Sequence, residues 1–259
     1  MSAVLNKIAI IARFTLLEAV RTRLPLVALA IMALLFLGGL FVQHISVTET
    51  ARMQTGFLAA ALRLSLVFIL SLHVAASMVR EFNDKGVELL LSLDLPRAGY
   101  YLGRFLGFAG IALALALAAG GILLTVVHST AVAWWTASLA FELTLVAALA
   151  LFCVITFVQI MPAISFVVAF YLLARGISAV RLLAASPLLS PAEWTNRTVA
   201  WLVDGLAWLL PDLGRFTPTS WLVDQSPDFA AVGSLALQSL VYGAVLVCAG
   251  LYDLYRKSL

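Results

Sequence analysis

Residues 80–104 concentrate the charge of this chain. Arg80, Glu81, Asp84, Lys85, Glu88, Asp94, Arg97 and Arg104 fall within that one stretch, and long apolar runs flank it on both sides. A charged island between two membrane-length segments sits in water at the membrane surface, where a soluble partner can reach it. Arg80 to Asp84 leave the membrane in polar residues, Gly86 allows a turn, and Val87–Leu93 offers about two turns of helix. Leu95-Pro96 ends that helix, because the residue before proline is disfavoured as helical. Leu89, Leu90, Leu91 and Leu93 supply an apolar face suited to a groove, while Lys85, Glu88 and Arg97 fix register. The same residues also suit an interfacial helix that only lies on lipid, and their types do not choose between the two. Glu88 stands near the helix N-terminus, where exposed N–H groups favour a carboxylate.

Elsewhere ionisable groups are sparse. Arg63 and Glu142 lie toward one end of two long apolar runs, where a lone charge is unfavourable, and they form a candidate intramembrane polar pair. Arg63 also stands close enough to its membrane boundary to snorkel, and a place along a substrate path is the alternative. His73 and His128 have no carboxylate or cysteine companions at ligand spacing, so packed histidines are expected and no metal site. Cys153 and Cys248 lie inside apolar runs and read as packing residues. The chain has no Gly-x-x-x-x-Gly-Lys-Ser/Thr phosphate loop, no Gly-x-Ser-x-Gly elbow and no His-Glu-x-x-His pair, so no catalytic residue is assigned. The scarcity of intramembrane carboxylates gives little support for an ion-driven carrier.

The elements that position these groups are membrane helices. Hydrophobic residues make up 63% of the chain and charged residues 11%, with a mean hydropathy of +1.07. Soluble domains average about 25% charged, so lipid is the expected solvent. Six stretches approach the roughly 20 apolar residues that a span needs: 24–42, 55–79, 105–127, 137–160, 163–180 and 229–252. Pro162 separates the fourth from the fifth, giving a tight turn at 159–162, with one long buried helix as the alternative. With the N-terminus inside, ten basic residues fall near cytoplasmic helix ends and five near outer ends, which favours N-in and C-in.

Residues 1–22 read as an amphipathic interfacial helix, with Leu5, Ile8, Ala9, Ala12, Leu16, Ala19 and Val20 on its apolar face and Lys7, Glu18 and Arg21 roughly opposite. Ile10, Phe14 and Leu17 interrupt the polar face, which leaves room for two buried sides, and a plain cytoplasmic extension of the first span is the alternative. They lack the apolar core and small-residue cleavage site of a signal peptide. Gly103-x-x-x-Gly107 provides a close-approach spacing. Residues 182–228, rich in Trp and Pro, read as an outer-face cap. The whole of 1–259 is expected to form a single transmembrane domain. Its net charge of +3 gives no indication of nucleic acid.

The run Glu81-Phe-x-x-Lys-Gly-Val-Glu-Leu-Leu-Leu-Ser-Leu-x-Leu-Pro-Arg97, followed by Tyr101-Leu-Gly-Arg-Phe-Leu-Gly107, resembles the ABC-2 permease family, closest to the permeases grouped with multicopper-enzyme maturation systems. Trp208-Leu-Leu-Pro-Asp-Leu-Gly-Arg-Phe216 is similar to that family's outer segment before the last span. The likeness covers most of the chain in layout and these two stretches in detail. It implies an all-α integral membrane protein: six transmembrane helices, an N-terminal interfacial amphipathic helix, and a cytoplasmic coupling helix within residues 80–104. It further implies that Glu81, Lys85, Gly86, Glu88, Leu89, Leu91 and Arg97 meet a separate ATPase.

Asp94 departs from the family pattern, in which a proline-led turn often begins at that point, and this leaves the end of the coupling helix unfixed. The implied function is the permease subunit of an ATP-driven exporter in a bacterial cytoplasmic (inner) membrane. ATP and Mg would be bound by the partner ATPase and no cofactor by this chain. A second permease copy, or a related permease, would complete the path within the lipid. Two alternatives from other classes remain: a non-transporting anchor that transmits ATPase motion to a periplasmic or membrane partner, and an intramembrane enzyme, for which no nucleophile–base or metal constellation is found.

Overall fold

Leucine- and alanine-rich runs with few breakers fold here into long helices, and a computed structural model describes residues 2–45, 49–84, 96–127, 130–184, 201, 203–206, 208–223 and 228–257. In chain order, the helices are α1 (Ser2–Arg21), α2 (Leu24–Ile45), α3 (Thr50–Asn83), α4 (Arg97–Leu124), α5 (Ala131–Phe157) and α6 (Ile160–Ala184). A 3-10 turn at Leu213–Arg215 follows, then a short α7 (Ser220–Val223) and the last helix α8 (Phe229–Arg256). Among the described residues there is no strand. Six helices, α2 to α6 and α8, are long and apolar enough to cross a membrane, which marks the chain as an integral membrane protein.

The helices outrun the apolar windows that announce them. α3 has 34 residues, about 51 Å at 1.5 Å per residue, against about 30 Å of hydrocarbon. Backbone hydrogen bonding carries the helix past its apolar section into the polar ends. Residues 80–83 and 97–104 are therefore helical continuations of α3 and α4, and the connection between them shortens to 84–96. Pro96 occupies the N-cap position of α4, and its carbonyl accepts the Tyr100 N–H at 3.1 Å.

The expected turn at 159–162 lies earlier. α5 ends on Val158, whose φ of 56° is left-handed, and Pro162 sits inside the first turn of α6, where its missing N–H removes no helical bond.

α5 is the central helix: 78% of its apolar window is buried, against 17% for α2 and for α8. Leu139, Leu143, Val146, Ala150 and Val154 of α5 pack into a core with Leu58, Leu62, Leu66 and Leu70 of α3. α2 and α8 line the outside, with Leu29, Leu37, Phe41, Leu237 and Leu240 exposed.

α1 crosses α4 at the Gly103-x-x-x-Gly107 notch. A Cβ on Gly107 would fall 2.4 Å from Thr15 Cβ, and one on Gly103 would fall 2.7 Å from Ile11 Cβ. Only glycine admits the crossing, because no side chain tolerates such contacts. The packed face of α1 is therefore centred on Ile11, Thr15 and Ala19, all buried. Leu5, Leu16 and Val20 of the expected apolar face are exposed, and Glu18 turns inward rather than away. The notch and the charge of Arg104 decide the rotation of α1, and neither is visible in the apolar pattern of α1 itself.

Candidate functional site

Two polar layers cross the otherwise apolar bundle. One lies at the end bearing α1 and the 84–96 connection, called the near end here. The other lies on the opposite half, toward the far end. Arg63 and Ser77 of α3 mark the two levels and are 14 residues apart, about 20 Å along the helix.

At the near end, Arg104 gathers three helices. Its guanidinium donates to Glu18 Oε2 at 2.9 Å and to Thr15 Oγ1 at 3.2 Å on α1, and it also pairs with Glu81 Oε2 on α3. Ser77 of α3 donates to Glu18 Oε1 at 2.7 Å. Arg104 itself is only 9% exposed. A cation so placed is tolerable because two carboxylates neutralise it and accept from its terminal nitrogens, while its Nε finds no partner among the described residues. Burial pushes the Glu18 carboxyl up, but the hydrogen bond from Ser77 and the bond and charge of Arg104 outweigh it, so Glu18 ends below its ordinary value of 4.5.

The other end of the connection is tied to the C-terminal helix. Arg97 donates to the carbonyls of Leu254 at 3.0 Å and Lys257 at 2.8 Å. These belong to the last turn of α8 and its cap, where carbonyls lack helical partners and a cation is favoured. Lys257 in turn donates to the Ile155 carbonyl, at the end of α5. Burial lowers the Lys257 ammonium, with Asp253 opposing. The 84–96 connection thus hangs between two braced points: Glu81, tied through Arg104 to α1, and Arg97, tied to α8 and through it to α5.

Of the residues assigned to partner contact, Glu81 and Arg97 are described, and both spend their charged groups on this bracing. Lys85, Gly86, Glu88, Leu89 and Leu91 lie outside the described residues.

The second layer centres on Glu142, which is fully buried on α5. Its ion pair is with Arg175 of α6, at 3.0 Å, and Tyr171 one turn earlier donates to it at 2.8 Å. Thr217 donates to its other oxygen at 2.9 Å. Arg63 reaches the same threonine, donating to its carbonyl at 3.3 Å. Arg63 and Glu142 therefore meet through Thr217, and the cation directly on Glu142 is Arg175. Arg175 is one of the five basic residues that the charge count places near outer helix ends. Its signal is the Tyr171/Arg175 spacing, which puts a phenol and a guanidinium on one face of α6.

Thr217 has a φ of 50°, a costly left-handed conformation for a β-branched residue. It is held there because its N–H donates to Ser138 at 3.1 Å while its hydroxyl and carbonyl are both bonded. Arg175 also donates to the Leu213 carbonyl at 2.9 Å, and Ser178 to Asp212 at 2.6 Å. The 212–217 segment is thereby clamped onto α3, α5 and α6.

His73 packs edge-on against Phe108, with ring centroids 6.2 Å apart, and its Nε2 has no hydrogen-bond partner among the described residues. Among the described residues, no group of three or more His, Cys, Asp or Glu is arranged to hold a metal ion. No protein-family model matches the chain, and no curated protein matches it.

Proposed function

We propose that this chain is the membrane-spanning permease subunit of an ATP-binding cassette transporter of the ABC-2 type, driven by a separate ATPase that docks on the 84–96 connection. The observation that carries the reading is the bracing of that connection at both ends. Force applied to a floppy loop is dissipated in the loop. Force applied between Glu81 and Arg97 reaches α3 and α4 directly, α1 through Arg104–Glu18, and α8 through the carbonyls of its last turn. The resemblance of residues 81–107 to the coupling region of ABC-2 permeases supports the same reading.

In this account the ATP-bound partner contacts one arrangement of the helices better than another. The difference in contact free energy shifts the populations of the two arrangements. ATP and Mg stay on the partner. A second permease copy completes the path, and the exposed faces of α2 and α8 are available to it or to lipid. The N-terminus, the C-terminus and the 84–96 connection lie on the cytoplasmic side in this reading, and export across a bacterial inner membrane is the implied activity.

The alternative of a non-transporting anchor keeps the same ATPase contact but passes the motion to a partner on the far side. The clamped 212–217 segment, rigidly joined to three helices, supports it. Co-purification tests the shared premise. The full-length chain is tagged and purified from the cells that naturally make it, and co-purifying ATPase is identified. Retention of the ATPase by the wild type and its loss in Glu88→Ala is the expected result. Absence of any ATPase from the wild-type complex would remove both readings. Vesicle transport assays with and without the ATPase separate permease from anchor.

A further inference from the structure

The near end holds a cavity of about 240 Å³ where α1, α2 and α3 meet, and its walls are divided by chemistry. Ile69, Leu72, His73, Ala76, Ser77 and Arg80 line it from one face of α3, spaced as helical neighbours. Val27 of α2 continues the apolar side, whereas Arg23, at the break between α1 and α2, joins Arg80 on the polar side. Arg80 and Ile69 are 11 residues apart, about 16 Å along the helix, or roughly half the thickness of the hydrocarbon layer. The cavity thus runs from a charged rim to an apolar floor over the depth of one lipid leaflet.

Two exposed guanidiniums and one buried imidazole nitrogen in it are open to a ligand. The Arg23 and Arg80 guanidiniums make no ion pair or hydrogen bond among the described residues, and the buried Nε2 of His73 has no partner. An anion with several acceptor oxygens at the rim suits the two guanidiniums, and His73 adds a polar group about two turns deeper. Glu18 also lines the cavity and would repel an anion, but Arg104 and Ser77 already occupy its two oxygens. A soluble anion would satisfy the rim and leave the wall of Val27, Ile69 and Leu72 uncovered. An amphiphile satisfies both.

We infer that this cavity is a binding site for an anionic glycerophospholipid, with its phosphate between Arg23 and Arg80 and one acyl chain along Ile69 and Leu72. The occupied site joins α1 to α3 at the level of the Glu18–Arg104 layer. It stands on the membrane-embedded fold alone and does not depend on what the chain transports.

Native mass spectrometry of the full-length chain, released from nanodiscs containing equal parts phosphatidylglycerol and phosphatidylethanolamine, tests the inference. The wild type should carry bound phosphatidylglycerol in preference to phosphatidylethanolamine. Arg23→Ala/Arg80→Ala should reduce the retained phosphatidylglycerol by about tenfold or more, since each charge-assisted contact alone is worth about a factor of ten. Arg13→Ala/Arg21→Ala removes two exposed arginines of α1 outside the cavity and should retain the lipid. Ala76→Phe fills the cavity while leaving both arginines, and should lose the lipid as well, which guards against a folding defect in the double arginine variant.

Equal loss in the two double-arginine variants would mean diffuse surface attraction and overturn the site. Retention by Ala76→Phe would overturn it too. Displacement of the lipid by inorganic phosphate alone would make the site one for a free anion and refute the lipid assignment.

Discussion

Replacing Arg104 with methionine removes the cation on which Glu18 and Glu81 converge and leaves two carboxylates facing each other. The Glu81 side chain is 10% exposed and that of Glu18 31%, so neither regains full hydration where it stands. Breaking a buried pair by removing one partner costs roughly 3–5 kcal/mol. The partial exposure of Glu18 argues for the lower figure, because its charge is screened. A loss of about 3 kcal/mol is about two decades in the unfolding equilibrium. The cost comes from stranded charge and not from lost attraction, so it should be largely relieved when the charges are removed together.

Arg104→Met is thus expected to lower stability strongly, and Arg104→Met/Glu18→Gln/Glu81→Gln to recover most of it. The assay is reversible unfolding in mixed micelles by graded addition of a denaturing detergent, read by helical circular dichroism. In double-mutant cycles the Arg104–Glu81 coupling should exceed that of Arg104–Glu18, following their exposure. Wild-type stability in Arg104→Met, or no recovery in the triple variant, would refute the reasoning.

Further outcomes follow from other contacts. Gly107→Ala puts a Cβ 2.4 Å from Thr15 Cβ and should displace α1 at a cost of about 1–3 kcal/mol, measured as faster proteolysis within residues 2–21; Gly121→Ala, with nothing within 4 Å, should be neutral. Thr217→Ala removes the hydroxyl shared by Glu142 and Arg63 without relieving the left-handed backbone, and should cost about 1–3 kcal/mol in the same unfolding assay. Because Glu18 titrates below its ordinary value of 4.5 in the fold, its contribution is fully present above that pH and is lost as pH falls through the depressed value. Glu18→Gln should therefore flatten the acid side of the stability profile, and an unchanged profile would contradict the bonding described. Single cysteines at Asp84 and Asp212 should label from opposite faces of the membrane, and labelling from one face would refute the N-in, C-in arrangement.

The spans were legible because lipid imposes a composition on any helix that crosses it, and runs such as 105–127 or 137–160 have no other stable solvent. Their true ends were not, since backbone hydrogen bonding continues past the last apolar residue, as at Asn83 and Arg97. Proline is the visible breaker, so the sequence points to a turn at 159–162, whereas the chain reverses at Val158, a residue with no turn signature. The packed face of α1 is not legible in its own residues, because its partner is a notch in α4, and a notch made of two glycines leaves no mark in the α1 pattern. Arg63 and Glu142 stood out as lone charges. That Glu142 takes Arg175 as its ion partner, and that Thr217 bridges to Arg63, depends on bringing 212–217 over α5 and α6, a contact across more than 70 residues that no local pattern encodes.

In the proposed function, work done on the 84–96 connection by an ATPase moves this chain. Its most direct measurement is the ATP hydrolysis rate of the partner ATPase reconstituted in vesicles with the wild-type chain, and with a chain whose residues 86–93 are replaced by glycine and serine. The wild-type chain should change the rate, and the replaced chain, still folded in the membrane, should leave the ATPase unbound at its free rate. The same rate with both chains would contradict it.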